Sequence, residues 1–304
     1  MKVMVTGGAG FVGSHIVDAL VESGHRVSVV DDLSTGKFEN INLLVNFYRL
    51  NVQSADFSEA VAGERPDVII HQASQVDVQR SLKDPLGDAE TNIIGVINLL
   101  EACRRYKVSK VIYASTAAVY GAPVALPLDE NSPVAPQSPY GASKLAAESY
   151  LKIYSEVYGI SCTVLRYANV YGPRQDAAGE GGVVAVFVDR LLCGESPHIF
   201  GDGRQTRDFI FVKDVVAANL AALNRGSGTT LNISTGAGLS INQLYRVLQS
   251  ITGSQLEPVY CAPRPGDIVH SRLSNKKACQ ALGWRPRYSL EKGLRETVGL
   301  PGAP

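Results

Sequence analysis

A tyrosine and a lysine four residues apart follow a pair of hydroxyl residues in the first half of the chain. Ser115-Thr116 ends an apolar run, and Tyr140 and Lys144 come after it. Residues at i and i+4 share one helix face, so the Lys144 ammonium can lie near the Tyr140 phenol and favour its phenolate form. A phenolate can serve as a general base near neutral pH. The Thr116 hydroxyl can bond both this phenol and a substrate oxygen, so we predict proton transfer at a hydroxyl group.

Position, not spacing, distinguishes this pair. Two other pairs have the same spacing: Tyr106 with Lys110, and Tyr288 with Lys292. The first ends a predicted helix and the second lies near the tail, whereas Tyr140 begins the helix after the strand that ends in Thr116. Ligands of open α/β sheets bind in the crevice at the carboxyl ends of strands. A surface Tyr/Lys pair and a non-functional Ser-Thr strand end remain the alternative.

A glycine-rich turn, Gly8-Ala9-Gly10-Phe11-Val12-Gly13, directly follows the apolar run of residues 1–5. Bare backbone suits a dinucleotide: Gly8 permits a tight turn, Gly10 lets the pyrophosphate approach, and Gly13 lets a helix pack on the strand. The phosphates then lie at the positive end of a helix. An ordinary strand-to-helix turn is the alternative in a chain with 29 glycines.

An acidic residue ends the second predicted strand, residues 26–30. Asp31 stands about where a carboxylate accepts hydrogen bonds from the adenosine ribose. Its charge would repel a 2′-phosphate, and no arginine follows immediately, so NAD is favoured over NADP. Lys37 is the one nearby cation that weakens this choice, and a solvated loop carboxylate is the alternative for Asp31.

Strands and helices alternate through the first half of the chain. Further buried strands are predicted at 68–71, 110–115 and 161–166, with helices at 86–106 and 140–158. This order indicates a parallel sheet with helices on both faces. A later helix is predicted at 183–192, a strand that returns to the sheet at 229–234, and a helix that begins at a Ser240/Gln243 capping box and runs through Ile251.

The predicted fold class is therefore α/β: a Rossmann-type doubly wound parallel sheet with a smaller, interleaved C-terminal substrate-binding lobe. The NAD-binding domain is expected to comprise residues 1–168, with 206–234 returning to it. Residues 169–205 and 235–304 are expected to form the nucleotide-sugar lobe.

Composition excludes several classes of partner. The 304 residues carry 29 Lys and Arg against 29 Asp and Glu, so no global field favours nucleic acid or an anionic membrane. The five cysteines are scattered without a C-x-x-C spacing, which is typical of reduced thiols and argues against a metal site. No cationic leader or membrane-length apolar run is present, and cytoplasmic residence is expected.

Ordered motifs along nearly the whole chain resemble the extended short-chain dehydrogenase/reductase superfamily, and most closely UDP-glucose 4-epimerases and related nucleotide-sugar epimerases. The motifs are Thr6-Gly-Gly-Ala-Gly-Phe-Val-Gly-Ser-His15, Asp31, His71-Gln-Ala-Ser74, Ser115-Thr116-Ala-Ala-Val-Tyr-Gly121, Ser138-Pro-Tyr-Gly-Ala-Ser-Lys144, Arg166-Tyr-Ala-Asn-Val-Tyr-Gly-Pro-Arg174, Arg207-Asp208 and Arg264-Pro-Gly-Asp267.

The resemblance implies NAD-dependent 4-epimerisation of a UDP-hexose by transient oxidation at C4. Tyr140 would take the proton of the sugar 4-hydroxyl, Thr116 would orient that hydroxyl, and Lys144 would tune Tyr140 and bond the nicotinamide ribose. The two long helices at 86–106 and 140–158 would form a homodimer. The residues implied for NAD are Gly7, Gly10, Phe11, Val12, Gly13, Asp31, Asp32, Asn51, Val52, Gln72, Ala73, Ser74, Asn92, Ser115, Tyr140, Lys144 and Tyr167.

The resemblance also implies a set of UDP-sugar contacts: Thr116, Asn169, Val183, Phe200, Arg207, Arg264, Asp267 and Ser271. Asn169 and the two arginines would bind the diphosphate, with surface charge pairing as the alternative for the arginines. Asp267 would accept from the nucleotide ribose. Residues 198–200 would line the base pocket or form a core strand of the lobe. Ser271 falls where the family is thought to place a gate beside the sugar C2 substituent, and its small side chain leaves room for an N-acetyl group; an exposed loop hydroxyl is the alternative.

The sequence departs from the family pattern at several positions. Gln72 and Ser74 replace apolar or alanine residues, and Asn51-Val52 stands where Asp-Val or Asp-Ile often meets adenine. Ala117-Ala118 follow Thr116 where 4,6-dehydratases have Asp-Glu, which argues against dehydration. A nucleotide-sugar enzyme with net redox, decarboxylation or uronate epimerisation and an idle NAD-binding scaffold remain open, although the intact Thr116, Tyr140 and Lys144 argue against idleness.

Overall fold

The computed structural model describes residues 1–123, 125–177, 182–263 and 268–300. Its strands are β1 (Lys2–Thr6), β2 (Arg26–Asp31), β3 (Asn46–Arg49), β4 (Val68–His71), β5 (Lys110–Thr116), β6 (Ser161–Tyr167), β7 (Asn169–Tyr171), β8 (His198–Phe200), β9 (Thr206–Arg207), β10 (Phe209–Phe211), β11 (Thr229–Ile233), β12 (Leu239–Ser240) and β13 (Val259–Cys261).

Helices connect most of these strands. They are α1 (Phe11–Glu22), α2 (Ala55–Glu64), α3 (Val78–Lys83), α4 (Pro85–Ala89), α5 (Gly95–Tyr106), α6 (Pro139–Tyr158), α7 (Val183–Leu192), α8 (Val212–Ala222), α9 (Ile241–Thr252), α10 (Lys276–Leu282) and α11 (Leu290–Val298). A π-helical turn, Glu90–Ile94, joins α4 to α5. The single helix predicted over 86–106 is therefore α4, this turn and α5 in continuous succession.

The central sheet has seven parallel strands in the order β11-β6-β5-β4-β1-β2-β3. In β1 the successive side chains enter different cores: Val3 and Val5 pack with α1 and α8, whereas Met4 packs with α2, α5 and α6. Apolar residues are needed on both faces of such a strand, which explains its unbroken hydrophobic run. The predicted α/β doubly wound fold is confirmed.

The direction of the chain through the sheet reverses at β1. From β1 the chain proceeds outward through β2 and β3, then returns to β4 on the other side and continues through β5 and β6. The carboxyl ends of β1 and β4 therefore flank the crevice at which ligands of such sheets bind. Among the described residues, no helix is both long and apolar enough to cross a membrane.

A third cluster of buried side chains lies outside the sheet. Helices α7, α9 and α11 supply Phe187, Leu244 and Leu294, and the parallel pair β10 and β7 supplies Phe211 and Tyr171. The chain returns to the sheet at β11, which pairs with β6 as predicted. The division into domains stays a prediction.

A buried carboxylate ties segments of the later chain together. Asp208 accepts from Thr235 N at 2.9 Å, from Gly236 N at 3.0 Å and from Leu273 N at 3.3 Å. Burial raises the pKa of Asp208, while these donors and the Thr235 hydroxyl lower it. The segments around Thr235 and Leu273 are thereby held at the residue that precedes β10.

Candidate active site

The glycine turn brings α1 close against the end of β1. Gly7 has φ +70°, the left-handed conformation that glycine adopts without strain. A Cβ on Gly13 would lie 2.0 Å from Gly7 O, so only glycine allows this approach of helix to turn. The sequence prediction that Gly8 makes the tight turn is wrong: Gly7 makes it, and Gly8 instead leaves space for Val29, whose Cγ1 would be 2.7 Å from an added Cβ.

Gly10 precedes the first residue of α1 and is the position that the prediction assigned to the pyrophosphate. A Cβ there would meet only Gly7 O, at 3.2 Å, so the outer side of the turn is open. Phe11 and Val12, the first two residues of α1, are half-buried against the third cluster, that of α7, α9 and α11. The helix therefore presents its N-terminal N–H groups at an unobstructed backbone surface.

Asp31 ends β2 beside this turn and is buried, not solvated. Its Oδ2 accepts from Ala9 N and its Oδ1 accepts from Leu33 N, both at 2.9 Å. Burial raises its pKa, and the two backbone donors lower it. Lys37, the cation that argued against NAD, has its Nζ 3.6 Å from Asp176 Oδ2.

The next residues predicted for the adenosine end form a local network. Asn51 Nδ2 donates to Asp32 Oδ2 at 3.1 Å, and Asn51 Oδ1 accepts from Gln53 N at 2.8 Å. Val52 is buried, and its carbonyl accepts from Asn98 Nδ2 at 2.6 Å. Asn51 and Asp32 thus lie at one edge of the crevice, whereas the Val52 side chain belongs to the core.

Residues after β4 lie directly across from the glycine turn. A Cβ on Gly7 would lie 2.5 Å from Ala73 N, which shows how closely the two loops approach. Gln72 Nε2 donates to Tyr167 OH at 3.1 Å, at the end of β6. Ser74 Oγ donates to Asn92 Oδ1 at 2.8 Å. The predicted cofactor residues from β4, β6 and the π-helical turn are therefore brought together.

The predicted proton-transfer residues meet at the carboxyl end of β5. Ser138 caps α6 by accepting from Gly141 N at 3.2 Å, and Pro139 occupies the first helical position, so Tyr140 lies in the first turn. The Thr116 hydroxyl, at the end of β5, hydrogen-bonds to the Tyr140 phenol, which lowers the phenol pKa. Burial outweighs this effect and raises the pKa of Tyr140 to about 12.

Lys144 lies one turn after Tyr140 and is buried. Its Nζ donates to Ala114 O at 2.9 Å and lies 4.9 Å from the centroid of the Tyr113 ring. Burial lowers the pKa of Lys144 to about 7, while the charges of Asp88 and Glu148 raise it. The ammonium is therefore hydrogen-bonded to β5, and the hydrogen bond on the phenol comes from Thr116.

An ion pair that sequence reasoning missed lies beneath this site. Glu148 Oε1 accepts from Arg166 Nε at 3.0 Å, and Oε2 accepts from Arg166 Nη2 at 2.6 Å. Ser115 Oγ donates to Glu148 Oε1 at 2.5 Å, so the hydroxyl predicted for the cofactor is directed under α6. Tyr140, Lys144 and Glu148 recur every four residues, and this extension of the i, i+4 pattern was the signal available.

The residues predicted for the sugar nucleotide are spread over the later chain. Asn169 is exposed at the start of β7, and Val183 is the first residue of α7. Arg207 Nη1 donates to Thr206 O at 3.0 Å and to Val269 O at 3.3 Å. Ser271 N donates to Thr206 O at 3.0 Å, which places Ser271 beside β9. Arg264 and Asp267 lie outside the described residues.

Phe200 lies in a short strand and also lines a cavity, and the assignment of that cavity to the nucleotide base stays a prediction. It ends β8, which pairs with β13, and it lines a cavity of about 550 Å³ together with Gly201, Gln205, Val269 and His270. The cavity therefore lies between the segment that holds Arg207 and the segment that holds Ser271.

The sequence profile of the NAD dependent epimerase/dehydratase family matches residues 3–234. A UDP-glucose 4-epimerase of Mycolicibacterium smegmatis is 44% identical over 305 residues, which cover 98% of this chain and 97% of that protein. The crystal structure of a Thermotoga maritima UDP-glucose 4-epimerase with UDP-glucose superposes with a TM-score of 0.97 at 48% identity, covering 98% of each chain. A Thermus thermophilus UDP-glucose 4-epimerase in complex with NAD superposes with a TM-score of 0.94 at 42% identity, covering 98% of each chain.

Proposed function

The chain belongs to the NAD dependent epimerase/dehydratase family, and we propose that it is an isomerase that interconverts UDP-glucose and UDP-galactose at C4. The observation that carries this proposal is the meeting of Thr116 and Tyr140, with Lys144 one turn further along α6, at the carboxyl end of β5. This arrangement can transfer a proton to and from one hydroxyl group. Such a transfer is the step that the side chains would perform in an oxidation and reduction at C4.

The described residues fit NAD. The outer side of Gly10 is open, so a pyrophosphate can approach the N-terminus of α1, and the Asp31 carboxylate at the end of β2 has lone pairs left for ribose hydroxyls. NAD bound by these residues would supply a hydride acceptor for C4 and an added positive charge.

The proton steps are assigned to Tyr140. With a pKa of about 12 in the protein alone, the phenol keeps its proton at neutral pH, so positive charge must be added nearby before it can act as a base. Lys144 contributes part of that charge when protonated. Thr116 donates to the phenolate oxygen and, by its position, orients the sugar 4-hydroxyl. Tyr140 then takes the hydroxyl proton and returns it after the 4-keto sugar has turned over.

The sugar nucleotide is assigned to the opening beside β8, β9 and the segment of Ser271. The cavity lined by Phe200 would hold the nucleotide base, with Asn169 and Arg207 near the diphosphate. Ser271 lies beside β9 through its bond to Thr206 and carries a small side chain. We therefore extend the proposal to the N-acetylhexosamine pair, for which a small residue at this position leaves space.

We also propose a homodimer formed through the two long helical segments of the sheet domain. Exposed apolar side chains on these segments support it: Leu86, Ile94, Ile153 and Val157 are 50–77% exposed in the single chain. Exposed apolar side chains that form a patch mark interaction surfaces. Light scattering of the purified protein and of Ile153→Glu tests this part, since a charge in the interface should yield monomers.

One experiment tests the reaction. The purified protein is incubated with UDP-galactose, UDP-N-acetylgalactosamine or UDP-glucuronic acid without added reductant, and each C4 epimer is followed by NMR. The proposal expects UDP-glucose from the first substrate and UDP-N-acetylglucosamine from the second. Carbon dioxide release from the third, or a demand for external cofactor turnover, would instead identify a decarboxylase or a net redox enzyme.

A further inference from the structure

A buried carboxylate that no motif singled out lies under the catalytic helix. Asp88, in α4, is 1% exposed. Its Oδ1 accepts from Gln75 Nε2 at 2.8 Å and from Asn92 Nδ2 at 3.2 Å. None of the described residues donates to its Oδ2. A buried carboxylate normally needs a counter-charge as well as hydrogen bonds.

The hydrogen bonds around Asp88 lead directly to α6. Asn92 Nδ2 also donates to Ser143 Oγ at 3.1 Å, and Ser143 Oγ donates to Tyr140 O at 3.0 Å. Ser143 is the residue before Lys144, and α4 packs against α6. The carboxylate is thus fixed against the turn that carries Tyr140 and Lys144.

Lys144, the residue after Ser143, is the buried cation on this turn of α6. Burial lowers the pKa of Lys144, and two nearby carboxylates raise it. The effect of Asp88 is larger than that of Glu148. Glu148 is paired with the Arg166 guanidinium through two hydrogen bonds, so the Arg166 charge offsets its effect on the surroundings. The titratable groups around Lys144 come from four elements: Asp88 in α4, His71 in β4, Tyr113 in β5, and Tyr140 and Glu148 in α6.

We propose that Asp88 is the counter-charge that keeps Lys144 protonated in the folded site, and thus a positioning residue that acts on Tyr140 and the cofactor through Lys144. The proposal rests on the proposed function for its consequence in catalysis. Its physical content, a charge that acts on a buried ammonium, is independent of the reaction. Asp88 itself is not assigned any contact with the sugar.

The test measures Lys144 directly in the protein saturated with NAD. The ¹³Cε resonance of labelled Lys144, assigned by its loss in Lys144→Met, is titrated with pH in the wild type and in Asp88→Asn. Asparagine keeps the shape and the acceptor for Gln75 and Asn92 but removes the charge. We expect the midpoint to fall by about one pH unit or more, the size typical of losing an adjacent opposite charge.

Two further variants bound the result. Asp88→Glu keeps a charge at this position and should retain a midpoint near that of the wild type. Asp84→Asn removes an exposed carboxylate that caps the same helix by accepting from Gly87 N at 3.0 Å, and should leave the midpoint unchanged. If Asp88→Asn fails to fold, Asp88→Ser makes the same prediction with less bulk.

An unchanged Lys144 midpoint in Asp88→Asn, or an equal shift in Asp84→Asn, would overturn the proposal. The titration needs no sugar and no turnover, so it decides the role of Asp88 even if the epimerase assay fails. Conversely, a confirmed midpoint shift in a protein that epimerises nothing would leave this inference standing and remove the proposed function.

Discussion

The Glu148 carboxylate and the Arg166 guanidinium face each other through two hydrogen bonds of 3.0 and 2.6 Å, both side chains less than a tenth exposed. The pair joins α6, which carries Tyr140 and Lys144, to β6 at the edge of the crevice. Because Ser115 also donates to Glu148, the strand end that carries Thr116 is attached to the same carboxylate. The relative position of the three proposed catalytic residues therefore depends on one buried charge pair.

Glu148→Ala should destabilise the protein strongly, because it leaves the buried Arg166 charge without its partner. Breaking such a pair from one side typically costs about 3–5 kcal/mol. Urea unfolding at fixed NAD concentration measures the loss. Glu156→Ala, which removes the exposed partner of Lys152 on the same helix, is the matched control and should have a much smaller effect. Equal losses in the two variants would contradict the structural importance of the pair.

Tyr140→Phe should lower the rate of epimerisation by about 10²- to 10⁴-fold, the range found when a general base is lost. Only the hydroxyl is removed and the ring still packs, so NAD and the sugar nucleotide should bind as before. Turnover assays combined with calorimetric binding of both ligands provide the measurement. Near-normal turnover in this variant would show that another group moves the proton.

His71 should make the stability of the protein depend on pH in the acid range. Burial and the Lys144 charge lower its pKa to about 3 in the folded protein, against about 6.5 in an unfolded chain. The unfolded chain therefore binds more protons between these values, so the stability that neutral His71 contributes above pH 6.5 is lost as the pH falls. In His71→Asn the slope should be shallower, by an amount that approaches about 1.4 kcal/mol per pH unit near pH 5.

Urea unfolding at several pH values measures this slope. His198→Asn, at an exposed position at the start of β8, is the control and should keep the wild-type slope. An identical slope in His71→Asn and the wild type would mean that His71 takes up no proton on unfolding in this window.

Asp31→Ala should relax the preference for NAD over NADP. The change would remove the hydrogen bonds proposed for the adenosine ribose and a charge that would repel a 2′-phosphate. A hydrogen bond to a charged group is typically worth about 1.5–3 kcal/mol, so the ratio of the two dissociation constants should change by about tenfold or more. The variant also loses the hydrogen bonds to Ala9 N and Leu33 N. That loss should weaken the binding of both cofactors equally, so it cancels in the ratio of the dissociation constants. Tighter binding of NADP by the wild type would contradict the assignment.

Ser271→Tyr should abolish turnover of UDP-N-acetylgalactosamine while sparing UDP-galactose, because the ring would fill the space proposed for the acetyl group. Separate kinetic constants for the two substrates measure the split. Ser274→Tyr, three residues further along the chain, provides a comparison for general disruption of this segment. Equal loss on both substrates, or no loss on either, would show that Ser271 does not gate the site.

The sequence predicted the features that depend on neighbouring residues. A short apolar run such as 68–71 is typical of a strand with both faces covered, and the structure has β4 at those residues. The Ser240/Gln243 capping box is present at the start of α9. The glycine turn was placed correctly, although the residue with positive φ is Gly7. Local pattern was sufficient there because the backbone itself imposes the requirement.

Other features depend on contacts between distant residues, which periodicity does not report. Strand β3 is only partly buried, and β9 and β12 have two residues each, so their sequences carry no clear alternation. The pairing of Glu148 with Arg166 requires the register of α6 on β6. Asp88 accepts a hydrogen bond from Asn92 in the π-helical turn that follows α4, and no residue type in the stretch indicated that turn.

The position of β11 at the outer edge of the sheet has a consequence for synthesis on the ribosome. The outer neighbour of β6 is β11, which ends at Ile233. β6 therefore lacks this neighbour until the whole stretch from β7 to α8, and then β11 itself, has been synthesised. During that interval the backbone of β6 offers an unpaired, apolar edge around Val164 and Leu165, the kind of edge that recruits foreign strands.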